Sequence, residues 1–242
     1  MGRIKIALLL MIAMIVLLQT PPAISGPGDH LKPEEGVYGF LMLNPYHESV
    51  SERLLSDDKY RICQAVIITS FKTETAVYIK YDDKKPASLP VVVSLKLVHP
   101  LWIQLNEYFE KNKGNLTDEI AQKKALSRIK SKVTRQEAEI ESETAKLLEA
   151  VWATALSQVK YEDKENQGLD GERIHYANFT LGVGYRAGKA WSPDEGTITS
   201  ELAELAKALR EYPMLSGAKR KTASKTMQSK AQVLLARLKT NK

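Results

Sequence analysis

The stretch "YRICQAVIITSFKTETAVYIKYDDKKPASLPVVVSLKLV", Tyr60 to Val98, decides the fold. It holds three runs rich in β-branched and apolar residues, Tyr60–Thr69, Ala76–Tyr81 and Pro90–Val98. The connections between them, "SFKTET" and "DDKKPAS", are short, polar and turn-like. Parallel neighbours require long crossovers, so strands joined this tightly form an antiparallel meander. In the first run Ile62, Gln64, Val66 and Ile68 alternate with Cys63, Ala65 and Ile67. Cys63 is the only cysteine, which excludes an intramolecular disulfide, and its setting reads as a buried, inert thiol.

Working outward, a helix is expected after His99-Pro100, carrying "LWIQLNEYFEK" to a stop at Gly114. From Thr117, which reads as a cap, no glycine or proline interrupts the chain until Gly168. Leu126, Ile129, Val133, Ile140, Leu147 and Val151 keep a three-four spacing, which predicts one very long helix from Thr117 to Lys160, or two sharing an axis break. Lysines and arginines (Lys123, Lys124, Arg128, Lys130, Lys132, Arg135) crowd its first half and glutamates (Glu137, Glu139, Glu141, Glu143, Glu149) its second. Such halves suit either a solvated surface or a weak homodimer of antiparallel helices. Asp170-Gly171 then marks a turn, and His175, Ala177, Phe179, Leu181, Val183 and Tyr185 alternate as the inward face of one more strand. Ile198, Leu202, Leu205, Leu209 and Tyr212 predict a helix ended by Pro213.

The order β-β-β-α-α-β-α implies an α+β fold: an antiparallel sheet of about four to five strands packed by helices, one of them long, with a basic amphipathic helix at the C-terminus. Residues 26–212 are read as a single domain and 213–242 as a basic helix or tail. Residues 1–25 are read as a signal peptide, because Arg3 and Lys5 precede an apolar run from Ile6 to Leu18 and Ala23-Ile24-Ser25 offers a cleavage site. The run is shorter than the about 20 residues of a membrane span, so an exported protein, periplasmic or secreted, is expected in preference to an anchored one.

Charge is distributed unevenly. The chain has 35 Lys+Arg against 29 Asp+Glu, and removal of Arg3 and Lys5 leaves 33 against 29. Eight of those basic residues and no acid follow Pro213, so the body carries 25 against 29 and is mildly acidic. In the tail Met227, Ala231, Leu234, Leu235 and Leu238 recur at helical spacing. That stripe either packs back on the body or lies on an anionic membrane or envelope surface, with Lys219, Arg220, Lys221, Lys225 and Lys230 meeting it. Nucleic acid is not expected as a partner in an exported protein.

The chemistry-bearing motifs fail in instructive ways. Gly182, Gly184 and Ala187 match a dinucleotide-binding fingerprint in letters, but Lys189 to Pro193 intervene where a helix must start. The Gly184 to Gly188-Lys189 spacing is one residue short of a Walker loop, and Ala190 replaces its hydroxyl. No nucleotide or other cofactor is therefore expected. Gly182 and Gly184 are read as a bulge or close approach and Gly188 as a turn glycine. Ser192, Pro193 and Glu195 form a capping-box pattern. His47-Glu48 opens a zinc-protease-like stretch that finds Ser51 where a second histidine belongs, so no metal site is expected. Asn115 and Asn178 begin glycosylation sequons. What remains is a group of cations and aromatics, Arg173, His175, Tyr185, Arg186, Lys189 and Trp191, which suits an anionic or carbohydrate ligand. The expected function is a non-enzymatic binding or envelope-associated module. The alternatives are a hydrolase using His175 with a nearby carboxylate such as Asp170, and a protein that attaches to an envelope polyanion or membrane surface through its C-terminal helix.

Overall fold

In the computed structural model, which describes residues 29–34, 44–56, 61–81, 88–161 and 171–240, six antiparallel strands form one sheet in the order β4-β3-β2-β1-β5-β6. The meander is β1 (Ile62–Thr69), β2 (Thr75–Lys80) and β3 (Val91–Leu97). Strand β4 (Val133–Glu139) extends it at one edge, while the hairpin of β5 (Glu172–Thr180) and β6 (Gly184–Trp191) joins β1 at the other. The fold is α+β as expected, with six strands in place of four to five.

Helices cover both faces, and the central strands β1, β2 and β3 are apolar on both sides. On one face Ala65, Ile67, Val77, Ile79, Ile174 and Tyr176 form the larger core with α4 (Ser142–Ser157), α5 (Ile198–Glu211) and α6 (Gly217–Thr240). On the other, Val66, Ile68, Tyr78 and Leu95 pack against α1 (Pro45–Leu55), α2 (Leu101–Asn112) and α3 (Glu119–Arg128). Glu74, wholly buried, stands at the start of α2, where its carboxylate accepts from the Leu101 N–H at 2.9 and 3.0 Å and from the Tyr46 hydroxyl. A carboxylate satisfies the orphan donors of a helix N-terminus, and the helix dipole favours its charge there.

The expected helix from Thr117 to Lys160 does not form. Its residues are divided among α3, β4 and α4. Asp118, not Thr117, caps α3, accepting from Ile120 N and Ala121 N at 2.9 and 3.1 Å. Ile129 leaves the helix in an extended conformation, and Val133 to Glu139 then pair residue for residue with Leu97 to Val91. The open edge of β3 supplies a full ladder of hydrogen-bond partners, and that tertiary pairing overrides the helical propensity of "RQEAE". With Lys123, Lys124 and Arg128 on α3, Arg135, Glu137 and Glu139 on β4, and Glu143 and Glu149 on α4, the two-halved helix suggested for a homodimer is not present.

The last strand is also corrected. It breaks at Leu181–Val183 into a hairpin whose Gly182 and Gly184 have φ of 80° and 88°, values that glycine adopts without a Cβ clash. Gly188 lies mid-strand, where a Cβ would come within 2.9 Å of Val159 Cγ2 and 3.2 Å of the Lys32 carbonyl oxygen. The roles expected of these glycines are thus exchanged: the first two make the turn and the third the close approach. Even-numbered Ile174 and Tyr176 enter the larger core, while Leu181, Val183 and Tyr185 are exposed. Ser192 does not cap a helix; its hydroxyl accepts from Glu172 N, and Thr197 caps α5. Asn178 is 1% exposed and accepts from Cys63 N at 2.9 Å, holding a bulge where Cys63 takes a φ of 49°. Burial pushes the Cys63 thiol well up from its ordinary range.

In α6, Met227, Ala231, Leu234 and Leu238 are part of the larger core against α4 and α5, so the apolar stripe faces inward. Among the tail cations, Lys219, Lys221, Lys225 and Lys230 are exposed and Arg220 partly so, its Nε donating to the Leu215 carbonyl oxygen at 2.9 Å. The leader Met1–Ser25, most of the segment before α1, and Asp170 lie outside the described residues.

Candidate functional site

Helix α1 begins with Asn44, whose Oδ1 accepts from Tyr46 N, and Pro45, whose missing N–H costs nothing at the first helical position. Tyr46, Val50 and Leu54 anchor one side of the helix in the smaller core. Arg53 ties it to α3 by donating to the carbonyl oxygens of Leu126 at 2.6 Å and Ile129 at 3.0 Å. The remaining side, with His47, Ser51 and Leu55 one turn apart, roofs the odd-numbered face of β5 and β6.

That face carries Arg173, His175 and Ala177 on β5, and Trp191, Lys189 and Ala187 opposite them in register on β6. Between roof and floor is a cavity of about 440 Å³, with His47, Arg173, His175 and Lys189 in its lining and Ala177 and Ala187 leaving the space. Segment 29–34 closes one side. Leu31 is buried in the larger core, Lys32 and Lys189 exchange backbone hydrogen bonds of 2.9 and 2.7 Å, and Asp29 accepts from Ile198 N. This anchorage brings Glu34 to His175, where its carboxylate oxygens lie 2.8 and 3.1 Å from Nδ1.

The carboxylate requires the proton on Nδ1, which leaves Nε2 as the working atom of His175: an acceptor in the neutral ring, a donor in the cation. Nε2 is buried and has no hydrogen-bond partner among the described residues. The His47 ring meets the His175 ring edge-on at 5.2 Å between centroids, and Arg173 Nη1 lies 3.4 Å from His47 Nδ1. Burial first, then the neighbouring His175, Arg173 and Lys189, push the His47 imidazole down to about 3. His47 is therefore neutral at physiological pH and accepts from Arg173. Glu48 and Glu52 also line the cavity, Glu48 within 3.8 Å of Lys123.

Of the six residues expected in a site, Arg173, His175 and Lys189 share this cavity. Trp191 lines an adjoining one of about 460 Å³ to which Arg173 and His47 also belong. Tyr185 is on the same face but further along, its ring 5.3 Å from Phe179 and its hydroxyl accepting from Arg61 N at 3.2 Å. Strand alternation puts Arg186 on the opposite face. Sequence reasoning missed Glu34 and His47. The signal for His47 was the helix start at Asn44-Pro45, which turns His47, Ser51 and Leu55 to one side; Glu34 had none.

Among the described residues no three His, Cys, Asp or Glu side chains are grouped to hold a metal ion, and no helix is long and apolar enough to cross a membrane. The chain matches no protein-family model, no curated protein and no solved structure.

Proposed function

We propose that this chain is an exported, non-enzymatic binding module for a small anionic ligand, held between α1 and the β5–β6 hairpin. The observation that carries the reading is His175 Nε2, buried without a partner among the described residues, in a cavity that also holds Arg173 and Lys189. A buried polar atom left unpaired costs about 1–3 kcal/mol, a cost that an anionic ligand oxygen removes when the ring carries both protons and Nε2–H donates to it. The Arg173 guanidinium beside it favours a carboxylate or phosphate over a neutral partner. Titration of the full chain with acetate and with inorganic phosphate, followed by the histidine side-chain nitrogen resonances, tests this. The His175 Nε2 signal should move with saturation, and Arg173→Gln should weaken the affinity about tenfold or more. An unmoved signal at high ligand concentration refutes the reading.

The Glu34–His175 pair supports a second reading, a hydrolase in which Nε2 takes a proton from water, since a carboxylate on Nδ1 orients and strengthens a general base. Ester turnover by the wild-type chain that disappears in His175→Gln would select it.

A further inference from the structure

We infer that the ligand of this site is a small aromatic acid, its carboxylate at Arg173 and His175 and its ring in the adjoining cavity beneath Trp102, Phe71 and Trp191; the inference rests on the anion-binding reading above. His47 and Arg173 line both cavities, so the two spaces meet at the cationic group. The second has a volume of about 460 Å³, within the range of small-molecule sites, roughly 300–1,000 Å³.

Its walls present aromatic rings that the fold leaves uncovered. Phe71 is 80% exposed and Trp102 37%. The Trp102 ring is braced edge-on by Tyr46 at 5.5 Å. Trp191 is placed by Gly171, where a Cβ would come to 3.0 Å from the indole and 2.2 Å from Ser192 Oγ. The backbone is strained on both sides: Phe71 has a φ of 67° and Ser192, next to Trp191, a φ of 37°. A bulky residue in the left-handed region is disfavoured, and such conformations concentrate where a fold serves a ligand.

A planar ring suits this space because Phe71, Trp102 and Trp191 share its lining and three of its polar side chains are already engaged. Asn44 Oδ1 accepts from Tyr46 N at 3.0 Å, the Ser70 hydroxyl bonds the Gly171 backbone at 3.2 Å, and the Tyr46 hydroxyl donates to Glu74. An aromatic ring needs only the faces and edges of other rings, whereas a sugar would draw on Thr69 and Lys72, which also line the space.

The test compares acetate, 3-phenylpropionate, 3-phenylpropionamide and glucuronate by calorimetry on the full chain, with Phe71→Gly and Trp102→Ala as variants. The phenyl acid should bind about tenfold or more tighter than acetate and quench tryptophan fluorescence. Both variants should remove most of that advantage and leave acetate affinity unchanged. Phe71→Gly keeps the experiment decisive, since glycine tolerates the φ of 67° and should not impair folding. Acetate binding with no gain from the phenyl group overturns this inference and leaves the anion site standing. Failure of acetate and 3-phenylpropionate alike, or equal binding of 3-phenylpropionamide and 3-phenylpropionate, overturns the anion reading and the aromatic-acid inference with it. Glucuronate sharing the phenyl advantage, or its survival in both variants, overturns the aromatic half.

Discussion

Acidification should destabilise this protein through His47, beginning above the range of ordinary carboxylates. In the unfolded chain the imidazole titrates near 6.5; in the folded chain burial and the neighbouring His175, Arg173 and Lys189 push it down to about 3. The unfolded state therefore binds the proton more readily, so His47 costs no stability above pH 6.5 and progressively more below it, until about pH 3 is reached. Each pH unit within the window is worth about 1.4 kcal/mol, which gives roughly 2 kcal/mol lost by pH 5 and an upper limit near 5 kcal/mol by pH 3. The comparison is best made between pH 7 and 5, before most carboxylates protonate, by urea unfolding of the wild type and of His47→Gln. Glutamine preserves an acceptor for Arg173 but cannot charge, so the variant should lose about 2 kcal/mol less over that interval. His30 and His99 are common to both proteins and cancel in the difference. Parallel pH dependences for the two proteins would refute the argument, as would a His47 proton resonance titrating between pH 6 and 7.

Three further outcomes follow from packing. Glu74→Ala should lower stability by about 3 kcal/mol in urea unfolding, because it strands the Leu101 N–H and the Tyr46 hydroxyl in a buried setting, and Glu74→Gln should recover only part of the loss. Leu234→Ala should cost about 2–5 kcal/mol if α6 is core, and its melting temperature should fall accordingly; an unchanged value would mean that the helix is dispensable. Gly188→Ala should destabilise the fold by crowding Val159 and Lys32, and measurement of its unfolding midpoint against Gly182→Ala separates close approach from turn strain, since Gly182 faces open space and bears only the cost of its φ of 80°.

How legible the fold was depended on how local its causes are. The β1–β2–β3 meander could be read because side-chain alternation and short polar connections both lie within one stretch of chain. Helix α5 could be read for the same reason: its apolar spacing and the proline that stops it are adjacent. Strand β4 was illegible because only Val133 and Thr134 within "VTRQEAE" favour a strand; its five exposed leading positions carry no inward alternation, and the segment extends because β3 offers it a partner. The turn at Gly182 was hidden by an apparent alternation from His175 to Tyr185 that ran straight through it, although Leu181 and Val183 are exposed side chains of the loop.

The candidate site divides along the same line. Arg173, His175 and Lys189 could be picked out as cationic and aromatic side chains around glycines, and the hairpin register then placed them on one face. Glu34 and His47 reach that face from 141 and 126 positions away in the chain, distances over which no local pattern operates. The tail shows how a correct pattern can carry two meanings. Its stripe at Met227, Ala231, Leu234 and Leu238 is the same whether it meets lipid or protein, and the charge around it would serve either. In the fold the acidic partner lies on α5: Lys230 Nζ is 2.6 Å from Glu204 Oε2, and Arg237 pairs with Glu201 and donates to the Gly196 carbonyl oxygen at 3.1 Å. Such exposed pairs contribute only about 0.2–1 kcal/mol each, so they orient α6 and the buried stripe holds it. Part of the contrast between a basic tail and a mildly acidic body is thus expressed within one molecule, as complementarity between α6 and α5.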